Sequence, residues 1–305
     1  MFGKLLFTLG LILGALPATA SPPVHYRTAE IDGLNIAYRE AGPADAPAIL
    51  LLHGFPSSSR MFRNLIPRLA DRYHVIAPDY PGFGASDVPD PARFEVSFAH
   101  YAKVIDQLTA QLGVADYALY VQDYGAPIGY RLALAHPERV TALVVQNGNA
   151  YEAGLSPFWN PIRAYWRDAT PANREALRAG LTPAATRAQY VDGVSVPETI
   201  DPENWLVDQT LLDRLGVDRI MLDLFRDYRT NVDLYPRFHE FFRTRHPRTL
   251  IVWGENDAIF PAEGAKAYLA DLPDAELHLL DSGHFALEDK GDEIAALMRR
   301  FLDRS

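Results

Sequence analysis

A series of short apolar runs, each ending at a turn signal, constrains this chain more than any other feature. They read "AILLLHG" (48–54), "HVIAPDY" (74–80), "YALYVQD" (117–123), "VTALVVQNG" (140–148), "TLIVWGEND" (249–257) and "AELHLLDSG" (275–283). A strand that is apolar throughout is buried on both faces, which is the condition of a strand inside a parallel sheet. Between the runs lie stretches of helical period, near 59–70, 96–112, 124–136 and 261–271, with a last one ending near Leu302. Strands alternating with helices predict an α/β fold, a mostly parallel sheet flanked by helices on both faces. Residues 24–42 alternate apolar and polar and turn at Asp32-Gly33, the signal of an opening hairpin.

The alternation breaks between about 149 and 232. There Trp, Tyr, Arg and Pro fall at irregular spacing among helical patches such as "PANREALRAG". This reads as a helical cap inserted after the sixth strand, over the carboxyl ends of the sheet, where open α/β sheets bind ligands. The expected division is therefore 21–148 and 233–305 for the core, with 149–232 for the cap. Residues 1–20 have one Lys, an apolar run and Ala18-Thr19-Ala20, the pattern of a cleaved export signal. That predicts a periplasmic or secreted protein with no stable membrane insertion after cleavage.

The chain has no cysteine, which excludes disulfides, a thiol nucleophile and thiolate metal ligands. A net charge of −10 argues against nucleic acid as a partner. No H-E-x-x-H and no phosphate-binding glycine loop appears, so neither a metal nor any other cofactor is implied.

Three side chains fall at strand ends in a telling order. Asp123 ends "YALYVQD" and is followed by Tyr124, Gly125 and a helix, a strand–sharp turn–helix that presents its tip residue as a nucleophile. Asp257 ends "TLIVWGEND", and His284 follows "LLDSG". Each has an ordinary alternative, a turn cap for either Asp and one of nine histidines for His284. Together they form a nucleophile–acid–base series. "HGFP" (53–56) ends the first apolar run, and its Phe55 N–H, with the Tyr124 N–H, is placed to form an oxyanion hole. His53 is expected to shape that loop, and "DYPGFGASD" (79–87) to make a tight loop beside the site. Asn147 and Asn149 follow the next strand where an alternative acid could stand, which leaves Asp257 as acid and Glu152 as a distant second.

"HGFP", "VQDYG", "VWGENDAIFP" and "DSGHF" resemble the aspartate-nucleophile branch of the α/β-hydrolase superfamily, which includes epoxide hydrolases and haloalkane dehalogenases. An aspartate that attacks an ester gives an unstable anhydride, whereas one that attacks a saturated carbon gives an ordinary alkyl ester. His284 then activates water against that ester, so epoxides and alkyl halides are the substrates that fit.

The leaving group separates the two. The resemblance implies that dehalogenases hold halide with a Trp after the nucleophile and with a cap Trp or an Asn in the HGxP loop. Here Tyr124 and Phe55 stand at two of those places, and Tyr165 and Trp166 in "RAYWRDATP" (163–171) are the remaining cap candidates. Epoxide hydrolases protonate the alkoxide with two cap tyrosines. "DYRTN" (227–231) resembles the segment bearing one, Tyr228; Tyr165 is the candidate for the other, with Tyr151 behind it. Trp159, Trp166, Phe158 and Phe225 are candidates to line a pocket for a hydrophobic small molecule. The expected activity is epoxide hydrolysis to a vicinal diol. The alternatives are haloalkane dehalogenation and a hydrolase-fold protein that binds a small ligand without turnover.

Overall fold

The computed structural model describes residues 22–304; the expected export signal lies outside the described residues. An eight-stranded sheet runs in the order β1-β2-β4-β3-β5-β6-β7-β8. The hairpin is β1 (His25–Ile31) and β2 (Leu34–Ala41). Its two turn residues, Asp32 and Gly33, have φ of 54° and 75°, the left-handed pair that a two-residue hairpin turn requires. β1 and β2 pair antiparallel, as do β2 and β4 (His74–Pro78), and every remaining neighbour is parallel.

β3 (Ala48–Leu52) explains why the interior strands are apolar throughout. Leu50 and Leu52 enter one core, Ile49 and Leu51 the other, and none of the four is more than 1% exposed. β5 (Tyr117–Gln122) repeats the division, with Leu119 and Val121 on one side and Ala118 and Tyr120 on the other. Full burial of a Leu, Ile or Val contributes roughly 1.5–3 kcal/mol. Two such layers are what hold a chain without disulfides together.

α1 (Phe98–Gln111) opens at Ser97, whose hydroxyl accepts the His100 N–H. α2 (Gly125–Ala135) follows β5 directly, and β6 is Val140–Gln146. The helix expected near 59–70 is instead a 3-10 turn, Ser59–Phe62, and a short helix, Ile66–Leu69. Pro67 sits in the first turn of the latter, where its missing N–H is tolerated, and it cannot continue a helix from upstream.

Between β6 and β7 (Thr249–Gly254) no strand occurs. Helices of eight or more residues there are α3 (Asn160–Arg167), α4 (Pro183–Val191), α5 (Glu203–Leu212), α6 (Val217–Asp227) and α7 (Arg229–Arg245). The expected cap boundary at 232 falls inside α7, which packs on α2 of the core. β8 (Glu276–Leu280) forms the far edge and α8 (Gly291–Leu302) ends the chain. No helix among the described residues is long and apolar enough to cross a membrane.

The strand order creates the site. From β3 the chain passes to β4 on one side and then returns to β5 on the other, so the loops after β3 and β5 diverge and leave a crevice. Leu52 pairs with Val121, which sets the 53–56 loop beside Asp123. At the far side Gly254 pairs with Leu280, and the loops carrying Asp257 and His284 meet.

Candidate active site

Asp123 has φ +46°, a left-handed conformation that non-glycine residues seldom adopt and that marks functional turns. Two glycines make the turn possible. A Cβ on Gly54 would lie 2.3 Å from Asp123 Cβ, and one on Gly125 would lie 2.2 Å from the Leu52 carbonyl oxygen. The Phe55 N–H donates to Asp123 Oδ1 at 2.6 Å, and the Tyr124 N–H also bonds the carboxylate. Oδ1 is thus seated against the Phe55 donor of the oxyanion hole. Burial pushes the Asp123 pKa up to about 6, against the opposing pull of His284 and the two N–H groups.

Asp257 is 3% exposed and fully hydrogen-bonded. Its Oδ2 accepts from His284 Nδ1 and from Asn147 Nδ2, each at 2.8 Å, and its Oδ1 accepts the Ile259 N–H at 2.8 Å. His284 is therefore held as the tautomer with its proton on Nδ1, leaving Nε2 as the base. Burial pushes the His284 pKa down, but Asp257 and then Asp123 more than offset it, and the net shift is upward. His53 differs. It is stacked on Tyr80 at 4.1 Å, bonds the Gly54 carbonyl through Nδ1 at 3.1 Å, and burial lowers its pKa to about 4. It is a neutral loop-shaping residue. In the 79–87 loop, Asp79 accepts from the Ser59 and Ala85 N–H groups, and a Cβ on Gly84 would strike its carboxylate.

A cavity of about 250 Å³ opens over this constellation. Asp123, Tyr124, Asp257 and His284 line it from the core; Trp159 and Phe225, both expected there, line it from above. Phe55 and Phe158 also border it.

Three expected residues are not in its wall. Trp166 is turned away, its indole N–H donating to the Phe225 carbonyl at 2.7 Å. Tyr165 is buried, and its hydroxyl accepts from Arg174 at 3.2 Å. Tyr228 lies one ring behind the wall, against Trp159 at 4.4 Å and Tyr124 at 6.1 Å. Its segment is anchored: Asp227 accepts the Phe98 N–H at the start of α1, while Thr230 and Asn231 accept from Arg131 on α2. The Tyr228 hydroxyl itself is buried beside that of Tyr235 and makes no hydrogen bond of ordinary geometry. Burial raises its pKa well above 10, with Tyr235 and Asp123 acting in the same direction, so it is a neutral donor. Tyr151, the fallback for Tyr165, donates to Asp271 at 2.7 Å and faces elsewhere. Glu152 pairs with Arg163, and Asn149 bonds Tyr151 and Tyr235, so neither stands in for Asp257.

Two residues that carry the site were not identified from sequence. Asn147, at φ +43°, clamps the acid: it donates to Asp257 and accepts the Gly254 N–H at 3.0 Å. Gln122, the neighbour of the nucleophile, places its amide nitrogen 3.0 Å from His284 Nε2. Asn147 was visible as a polar residue at a strand end, but nothing in its spacing distinguished a clamp from a turn. Gln122 looked like the last residue of a buried strand. Among the described residues no group of three or more His, Asp or Glu is disposed to hold a metal ion.

The comparisons with known proteins agree with this geometry. Residues 47–291 match the family model described as the alpha/beta hydrolase fold. An uncharacterized hydrolase of Saccharomyces cerevisiae is 47% identical over 261 residues, covering 84% of this chain and 89% of its own. A haloalkane dehalogenase of Bradyrhizobium diazoefficiens is 28% identical over 298 residues, covering 89% of this chain and 92% of its own. The solved epoxide hydrolase of Vigna radiata superposes with a TM-score of 0.72 at 21% identity, over 92% of this chain and 98% of that one, a likeness of fold alone. With a carboxylate at the tip of its nucleophile turn, the chain belongs to the α/β-hydrolase family, in its aspartate-nucleophile branch.

Proposed function

We propose that this hydrolase opens compact, apolar epoxides to vicinal diols through an ester on Asp123. One observation carries the choice over halide release. Both cap indoles near the site are already engaged, Trp159 with the Ile259 carbonyl at 3.1 Å and Trp166 with that of Phe225, whereas the Tyr228 hydroxyl faces only the Tyr235 hydroxyl and makes no hydrogen bond of ordinary geometry. A halide needs free N–H donors, and an alkoxide needs a proton.

With Oδ1 held by the Phe55 N–H, Oδ2 is the attacking atom. It bonds to an epoxide carbon, the carbon–oxygen bond breaks, and the alkoxide takes the Tyr228 proton once the Trp159 ring that screens Tyr228 from the cavity shifts aside. Asp123 is then neutral, and the negative charge that helped raise the His284 pKa is gone, so the imidazole stays neutral with its proton on Nδ1 and its Nε2 lone pair free to act as base. It takes a proton from water as the water oxygen bonds to the Asp123 carboxyl carbon, and Oδ1 becomes the oxyanion in the hole already built for it. Collapse breaks the bond to the alkyl oxygen, which takes the proton from Nε2. The proton released as Asp123 returns to carboxylate restores Tyr228. Export of the mature protein, read from residues 1–20, belongs to the same proposal.

A turnover screen tests the reading: alkyl and aryl epoxides followed as diol, chloro- and bromoalkanes followed as halide, with Asp123→Asn as blank. Diol without halide is expected, slowed about 10²–10⁴-fold in Tyr228→Phe and little changed in Tyr165→Phe. Halide without diol overturns the epoxide assignment, and an unchanged Tyr228→Phe removes that hydroxyl from the chemistry.

A further inference from the structure

We propose that Gln122 is a positioning residue for His284, whose carboxamide holds Nε2 in both of the protonation states that the histidine passes through. The proposal rests on the covalent reading above.

The contact is direct. Gln122 is fully buried at the end of β5, and its Nε2 lies 3.0 Å from His284 Nε2. Its Oε1 is buried without a partner. Buried polar atoms are nearly always paired, so an orphan oxygen beside a catalytic base calls for a reason. Register supplies the second support: Gln122 pairs with Gln146 on β6, whose amide donates to the His284 carbonyl oxygen at 3.1 Å. Tyr120 in turn fixes Gln146 through a 2.7 Å bond to its Oε1. His284 is thereby held at Nδ1 by Asp257, at Nε2 by Gln122 and at its main chain by Gln146.

The chemistry of a carboxamide fits what Nε2 requires. Neutral imidazole with its proton on Nδ1 has one lone pair at Nε2, which accepts the Gln122 N–H until the attacking water takes that donor's place. Once Nε2 has taken a proton from water it is a donor and needs an acceptor. A half-turn of the carboxamide about its terminal torsion, which is soft, puts the orphan Oε1 there. One side chain so serves both states and keeps the ring plane fixed between proton uptake and proton return. A carboxylate at this position serves only the imidazolium; a thioether serves neither.

The test follows decay of the Asp123 ester against pH, by intact-protein mass after rapid quench, with melting temperatures to confirm folding. Gln122→Glu should move the pH limb of ester decay upward by about 1–3 pH units, the effect of a carboxylate beside a histidine. Its decay should be slow at pH 7 and restored at higher pH. Gln122→Met should leave ester formation near the wild-type rate and lower the decay plateau about tenfold or more. A folded Gln122→Glu with an unmoved limb overturns the proposal, and so does wild-type decay in Gln122→Met, which decides the matter if the first variant does not fold. Failure to detect any ester, even in His284→Gln, overturns the covalent reading itself and this proposal with it.

Discussion

At the scale of single residues, Asp123 combines three conditions that seldom coincide: a left-handed backbone, near-complete burial and a free charge to deliver. Its carboxyl titrates near 6 because burial disfavours the charged form more than His284 and the two N–H groups favour it. Only the carboxylate attacks carbon. The rate of ester formation should therefore fall as pH drops through about 6, tenfold per unit below it, where an ordinary Asp would lose activity only near 4. The pH dependence of kcat/KM measures this, and a flat profile down to pH 4.5 contradicts it. The identity of Asp123 as the tip of the nucleophile turn was legible in "VQDYG", because a buried run ending in a polar residue just before glycine and a helix has few other uses. The roles of Gln122 and Asn147 were not. Both are ordinary polar residues whose function depends on a partner more than a hundred positions away, and no local pattern encodes that.

At the scale of elements, a buried polar network ties the helices over the site to the core. Arg63 pairs with Glu288 at 2.8 Å, and Asn204 of α5 bridges them, accepting from Arg60 and Arg63 and donating to Glu288. One turn further along α5, fully buried Asp208 accepts from the Tyr190 hydroxyl of α4, and its other oxygen has no partner. Burial raises its pKa to about 7. A carboxyl raised in this way stabilises the fold when protonated; that contribution is complete below its unfolded value near 4 and is lost as pH rises toward 7. Asp208→Asn keeps an acceptor for Tyr190 without the charge. It should melt about 3–6 °C higher than wild type at pH 8 and close to it at pH 5. Equal destabilisation at both values would show that the ionised carboxylate holds these helices together. The helices over the site were legible as a region and not in their facing. Tyr165 and Trp166 are neighbours on α3, about 100° apart around the helix, and a short aromatic-rich helix does not announce which side it buries. That is why Trp159 and Phe225 face the pocket while Tyr165 and Trp166 bond Arg174 and a main-chain carbonyl instead.

At the scale of the whole molecule, the site is a consequence of strand order. Loops after β3, β5, β6, β7 and β8 meet at the carboxyl edge only because the chain reverses its direction of travel between β4 and β5. The apolar runs specified that sheet, since each strand must fill two cores at once. From the sheet, the meeting of Asp123, Asp257 and His284 follows with little further information. The substrate does not follow, because it is set by the helices above, where periodicity is weakest. The central claim is that Asp123 forms an ester which His284 releases, and one measurement bears on it most directly. His284→Gln, mixed with an epoxide and examined by intact mass and peptide mapping, should gain the full mass of the epoxide on the peptide carrying Asp123 and hold it for hours. An unmodified protein, or an adduct placed on another residue, would contradict the account.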